Sequence, residues 1–290
     1  MTSTPKPSRA PHAGPFLVPN WSAPATVQAL FSTRTGGVSE GSYASLNLGD
    51  HVGDAPAAVA ENRSIFAAAL QGAKPVFLQQ VHGVDCLPLV ASTAQGSMAD
   101  ACSTQAADVA CTIMVADCLP LLFCNAAGTQ VAAAHAGWRG LAAGVVEQTL
   151  RAFLPKNAAK PAWVAMENEA DEEQGRGQEQ EQKTGLMAWL GPCIGQAAFE
   201  VGAEVRAAFM QQYPWSTAHF APGAASGKWL CDLAGIARSL LQRLGVAVYG
   251  NDGSVFWCTY SNREVWFSHR RESQQAGQSG RMAAAVWIKG

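Results

Sequence analysis

The chain has 290 residues, a formal net charge of −2 and 48% hydrophobic side chains, enough to bury one substantial core or two modest ones. The near-neutral charge carries no basic stripe and excludes a nucleic-acid binder. No stretch approaches the roughly 18 consecutive apolar residues of a membrane span, and no feature identifies a protein partner.

Residues 1–15 are rich in Pro, Ser and Ala and are expected to be a disordered tail. The start MTSTPKPSRAPHAGPF lacks the apolar segment of a secretory leader. Residues 26–32 predict a strand, and the glycines and serines of TRTGGVSEG mark the loop after it. Residues 56–71 predict a helix, with Gly72 just past its end. Short strand-like runs follow at 76–80, 84–90, 110–115, 119–124 and 130–134, then a helix over 140–154 closed by Pro155. The runs AWVAM (162–166) and LMAWL (186–190) predict a hairpin whose loop, 167–185, is an acidic, Gln-rich insertion. Without a large apolar residue that insertion cannot offset its ordering entropy and is expected to be flexible. A helix is predicted over 196–211, stopped by Pro214. Asp232 is placed to cap another that carries Leu233, Ile236, Leu240, Leu241 and Leu244, with Gly245 as its stop. MAAAVWIKG is a final strand. The fold class is α/β: one mixed domain over 16–290, built of short, largely antiparallel strands with helices packed outside.

Three segments put a metal-type ligand beside a strand end: LQQVHG, VADCLP and VAAAHAGWRG. His82, Cys118 and His135 form a nitrogen, sulfur, nitrogen set that suits tetrahedral zinc, with one position left for water or substrate. A metal-free alternative uses the same residues, with Cys118 as thiol nucleophile, His135 as base, and Asp117 or Gln80 orienting the imidazole. Sequence chemistry does not separate the two. Gly137 is expected to let the backbone turn directly after His135. Arg34, Arg139, Arg270, Arg271 and Arg281 lie beside glycine-rich or polar turns, where guanidinium groups suit phosphate or carboxylate. The backbone of GPCIG offers N–H groups to an anion. The eight cysteines contain no C-x-x-C pair, which points to a reduced, cytoplasmic setting.

Taken together, STRTGG, SLNLG, LQQVHG, ADACST, VADCLP, AAAHAGWRG, GPCIG, FEVG and FSHRR resemble, in this order, the YfiH-like family. It is also called the laccase-domain, polyphenol-oxidase or peptidoglycan-editing-factor family, and its members are described as multifunctional purine nucleoside phosphorylases. The resemblance implies an α/β sandwich like that of cysteine-hydrolase toxins, and zinc on His82, Cys118 and His135. It implies phosphorolysis of adenosine, inosine and methylthioadenosine, deamination of adenosine, and a purine nucleoside and phosphate as substrates. Arg34, Cys118 and His135 take catalytic roles by this resemblance. Arg34, Asn47, Gln80, Arg139, Arg270 and Arg271 take substrate- or phosphate-binding ones. Hydrolysis of peptidoglycan precursors at the same Cys/His centre is the implied alternative. Six histidines without an H-x-H pair cannot build a four-copper oxidase; copper is expected only as a substitute in the zinc-type site, with phenol oxidation as a side activity.

Overall fold

Strands buried on both faces organise the molecule. Every residue of Val109–Val115 and Val131–Ala136 is buried, as are all but the last of Leu119–Asn125 and Met282–Ile288. Such strands read as continuous apolar runs because a layer covers each side of them. The computed structural model describes residues 14–154 and 184–290. The tail through residue 13, the strand expected at 162–166 and nearly all of the 167–185 insertion lie outside these.

One sheet has five strands in the order Phe16–Leu17, Val27–Ser32, Met282–Ile288, Val109–Val115 and Lys74–Phe77. A second has six: Ala247–Gly250, Leu186–Leu190, Leu119–Asn125, Val131–Ala136, Ala101–Thr104 and Cys86–Pro88. A small third sheet joins Glu200–Gly202, Lys228–Cys231 and Phe220–Pro222. Pairing is antiparallel except where Lys74–Phe77 meets Val109–Val115, Cys86–Pro88 meets Ala101–Thr104, and Ala247–Gly250 meets Leu186–Leu190. The mixed, largely antiparallel α/β architecture expected from the sequence is therefore present.

The period-two alternation of strands assigns residues to layers. Leu122, Cys124, Val131 and Ala133 face inward between the two large sheets, against Phe31, Ile113, Ala284 and Val286. Leu121, Phe123, Ala132 and Ala134 face the other way, onto Leu141, Val145, Val146 and the helix Leu233–Arg243. The helix Pro56–Ala69 covers the far side of the five-stranded sheet, with Phe66 packed among Leu30, Phe77, Met114, Ala283 and Ala285. The alanine run of VAAAHA thus marks a strand against which helices on one side and a sheet on the other approach closely.

Two predicted helices need correction. The span 140–154 is two helices, Trp138–Ala142 and Val145–Arg151, because Gly144 between them takes φ 95°, which no helical residue adopts. The helix predicted from residue 196 begins only at Ala203. Before it, Glu200–Gly202 is drawn into pairing with Lys228–Cys231. Asp232 caps its helix as expected, accepting from the Gly235 N–H at 2.9 Å. Asp232→Ala should cost about 1 kcal/mol of stability; an unchanged denaturant midpoint would show that the cap contributes nothing.

Candidate metal centre

The chain leaves the five-stranded sheet at Val115 and enters the six-stranded sheet at Leu119. Cys118 closes this three-residue crossing, and Asp117 before it holds the turn at φ 85°. The Asp117 carboxylate accepts from Thr259 Oγ1 at 2.6 Å and from the Arg270 N–H at 2.7 Å, while its carbonyl accepts from Ile194 N–H at 2.9 Å. Positive φ at a non-glycine residue is costly, and these three bonds hold it in place. His135 lies on the adjoining strand, in register with Pro120.

Asp100 ties the second histidine to the first. It is fully buried, and its Oδ1 lies 2.8 Å from His135 Nδ1. The same carboxylate accepts from the backbone N–H groups of Val81, His82 and Gly83 at 3.0, 2.9 and 2.7 Å. It thereby fixes the loop in which His82 sits at φ 61°. With Nδ1 held by a carboxylate, His135 presents Nε2 as its ligand atom, an arrangement that raises the basicity of metal-bound imidazoles.

The ligand atoms of His82, Cys118 and His135 lie within 4.8 Å of one another, and Cys118 Sγ is 3.9 Å from His82 Nε2. A tetrahedral ion with bonds of about 2.0–2.3 Å holds its ligands roughly 3.3–3.6 Å apart, so small side-chain rotations suffice. Burial pushes the Cys118 thiol up. The charge and hydrogen bond of His135, and then those of His82, outweigh this and bring the thiol down to about 6. Burial likewise pulls His135 down, but Cys118 and the Asp100 hydrogen bond outweigh it and raise the imidazole to about 9. Cys118 and His135 are thus one thiolate–imidazolium pair, and a metal ion bound there would take the place of the imidazolium proton. His135 is buried, Cys118 half-buried and His82 exposed, so the group opens to solvent on one side.

Gly137 serves a different purpose from the turn expected of it. Its φ and ψ of −66° and 161° suit any residue. A Cβ there would instead lie 2.9 Å from His82 Cδ2 and 3.0 Å from Cys118 Sγ. Glycine is required by close approach to two ligands. Gly137→Ala should therefore weaken metal retention at least about tenfold in chelator competition, the effect of disturbing a ligand's support; wild-type retention would refute the crowding argument.

Gln80 donates to the Met114 carbonyl and accepts from the Met114 N–H, both at 2.8 Å, and does not orient His135. Asn47 is fully buried and bonds to Gly49, Asp54 and the Arg281 backbone. Arg271 is buried and donates to the carbonyls of Thr259, Tyr260 and Trp266 and to Glu272. Arg270 reaches the Glu200 carbonyl while its backbone braces Asp117. Arg34 bonds to Ala44, Arg263 and Glu272 and stacks on Phe267. It lines a cavity of about 340 Å³ with Thr35, Ala44, Ser45, Arg263 and Glu264, which none of the three ligands lines. Arg139 is exposed and stacks on Trp138, itself packed against the helix-side core. The GPCIG amides are engaged: those of Gly191, Cys193 and Ile194 by backbone carbonyls, that of Gly195 by Cys258 Sγ. The structure thus brings His82, Cys118 and His135 together and adds Asp100, which takes the orienting role expected of Asp117 or Gln80; the Asp117 carboxylate is spent on Thr259 and the Arg270 backbone and holds the Cys118 turn instead.

Residues 28–167 and 172–289 match the family model described as multi-copper polyphenol oxidoreductase laccase. The chain belongs to this family. A Shigella flexneri relative named purine nucleoside phosphorylase YfiH is 45% identical over 275 residues, covering 94% of this chain and 98% of the relative. A Pseudomonas aeruginosa relative, named purine nucleoside phosphorylase PA4543, is 42% identical over 275 residues with the same coverage. The crystal structure of Neisseria meningitidis protein NMB0706 superimposes with a TM-score of 0.80 at 42% identity, covering 96% of this chain and all of that one. The family's description speaks of several copper ions. Among the described residues, His82, Cys118 and His135 form the one group of three or more such side chains able to hold a metal, and three ligands do not make a multi-copper cluster. No helix among the described residues is long and apolar enough to cross a membrane.

Proposed function

We propose that the protein is a zinc-dependent purine nucleoside phosphorylase that also deaminates adenosine. The observation that carries this is the three-ligand group, open on one side and braced by Asp100, in a chain whose relatives are named for nucleoside phosphorolysis. Two nitrogens and one thiolate suit zinc, and copper is the substitute such donors also accept. When bound, the metal supplies Lewis-acid stabilisation of negative charge on the departing base or on water.

The chain's own residues do the rest. Asp100 keeps Nδ1 of His135 occupied, so Nε2 stays aimed at the centre. The His82 loop and the Cys118 turn are each held by a carboxylate, which limits reorganisation when substrate enters. In phosphorolysis the C1′–N9 bond breaks with its electron pair leaving on the purine. A phosphate oxygen forms the new bond to C1′, and a proton neutralises the freed base. Arg34 and Arg139 are proposed to contact substrate; Arg270 and Arg271 frame the Asp117 turn and the segment behind it.

One observation favours a second reading. Cys118, His135 and Asp100 also form a thiolate–imidazolium–carboxylate series, the arrangement of a cysteine hydrolase, which would suit editing of peptidoglycan precursors. Incubating the purified protein with adenosine, with and without phosphate, and identifying products by mass spectrometry separates the readings. The proposal predicts adenine with ribose 1-phosphate only when phosphate is present, and inosine in either case. Absence of turnover on adenosine, inosine and methylthioadenosine would favour the hydrolase.

A further inference from the structure

The final strand begins at Met282, which pairs with Val115. Arg281, one residue earlier, therefore stands opposite Ala116, the first residue of the crossing that ends at Cys118. Three contacts fix it there. Its backbone N–H donates to Asn47 Oδ1 at 2.8 Å. Its Nη1 donates to the carbonyls of Ser279 and Gly280 at 2.8 and 3.2 Å. Its stem lies so close to Gly49 that a Cβ there would come within 2.7 Å of Arg281 Cγ.

These contacts hold the stem and one terminal nitrogen, Nη1, and leave the Nε–Nη2 edge of the guanidinium available. Among the described residues, neither Nε nor Nη2 of Arg281 has a hydrogen-bond partner. The carboxylates whose charges it feels, Asp117 and Glu272, spend their oxygens elsewhere. Asp117 serves Thr259 and the Arg270 backbone, and Glu272 serves Arg34, Arg271, Ser268 and Ser279. A half-buried guanidinium with two free donor nitrogens, beside a metal-type centre and without a carboxylate of its own, is a receptor for an oxyanion. Burial lowers its pKa, and the charge of Cys118 is the first influence to raise it again, consistent with this placement.

We propose that Arg281 binds the inorganic phosphate that attacks C1′, with Asn47 as the residue that positions it; this rests on the phosphorolysis reading above. Asn47 then acts on the substrate through Arg281 and not by direct contact.

The test uses the full-length, zinc-loaded protein and its Arg281→Gln and Arg281→Lys variants. Steady-state kinetics give KM for phosphate and for inosine separately, and calorimetric titration with inorganic phosphate gives binding without turnover. Loss of charge-assisted hydrogen bonds predicts a phosphate KM raised about ten- to a hundredfold in Arg281→Gln. Arg281→Lys should be intermediate, since an ammonium keeps charge without the fork. Inosine KM should stay within about twofold and zinc content should not change. Unchanged phosphate KM and unchanged phosphate titration in both variants would overturn the assignment while leaving phosphorolysis standing. Equal losses for both substrates together with loss of zinc would overturn it as well, by showing that Arg281 only supports the fold. If the wild type binds phosphate without cleaving nucleosides, and Arg281→Gln no longer binds it, the anion site stands and the phosphorolysis reading falls.

Discussion

Cys118→Ala will purify without its metal and lose phosphorolysis and deamination together. Two imidazoles remain, one exposed and one hydrogen-bonded to Asp100, and neither brings the negative charge that thiolate contributes. Lewis-acid stabilisation is worth several kcal/mol of the barrier, so kcat/KM should fall by at least about a hundredfold. Because Cys118 is only half-buried and its backbone bends through Asp117, whose bonds survive, the variant should fold. Metal content by mass spectrometry and thermal unfolding on the same sample check both halves. Full metal occupancy with normal turnover in Cys118→Ala would remove Cys118 from the ligand set.

Asp100→Ala will be the most destabilising single change at the centre. The buried carboxylate accepts from three backbone N–H groups and faces the His135 ring. Its loss removes all of these bonds at once, and breaking a buried pair such as Asp100 with His135 costs roughly 3–5 kcal/mol. Loss of an outer-shell carboxylate should also weaken metal binding about ten- to a hundredfold. Asp100→Asn is the subtler variant, because its amide nitrogen must face a donor wherever it points.

The pH dependence has a definite sign. Burial raises the Asp100 pKa, but the bonds from His135, Gly83 and Val81 outweigh it and the net shift is downward. A depressed folded-state pKa contributes stability that is present above the unfolded value, about 3.9, and disappears as pH falls through the folded one. Acid unfolding below about pH 4 should therefore lose part of its steepness in Asp100→Asn. An unaltered acid transition would mean that Asp100 is not held as a carboxylate.

The grouping of His82, Cys118 and His135 was legible because each lies in a motif beside an expected strand end, and the order of those motifs is visible in the sequence. Asp100 was not. Nothing in ADACST distinguishes a carboxylate that gathers three distant N–H groups from one that faces water. Asn47 and Gln80 show the converse: a polar residue inside a family motif was expected to meet substrate, and its amide bonds to neighbouring backbone and loop groups. Gly137 was correctly singled out for the wrong reason, since packing of side chains from two other segments cannot be read from a local turn pattern. Strands such as Glu200–Gly202 and Lys228–Cys231 are too short to show a period, and their pairing to each other defines them. The break at Gly144 was invisible because a glycine inside a helical window is tolerated unless its φ turns positive.

His82, Cys118 and His135 are proposed to hold one catalytic zinc. The most direct measurement follows zinc per chain and phosphate-dependent cleavage of inosine on one preparation: as purified, after chelation, and after return of one equivalent of zinc. About one zinc per chain is expected at the start, with loss of cleavage in step with loss of metal and recovery in proportion to the zinc returned. Full phosphorolysis in the chelated, zinc-free protein would contradict it.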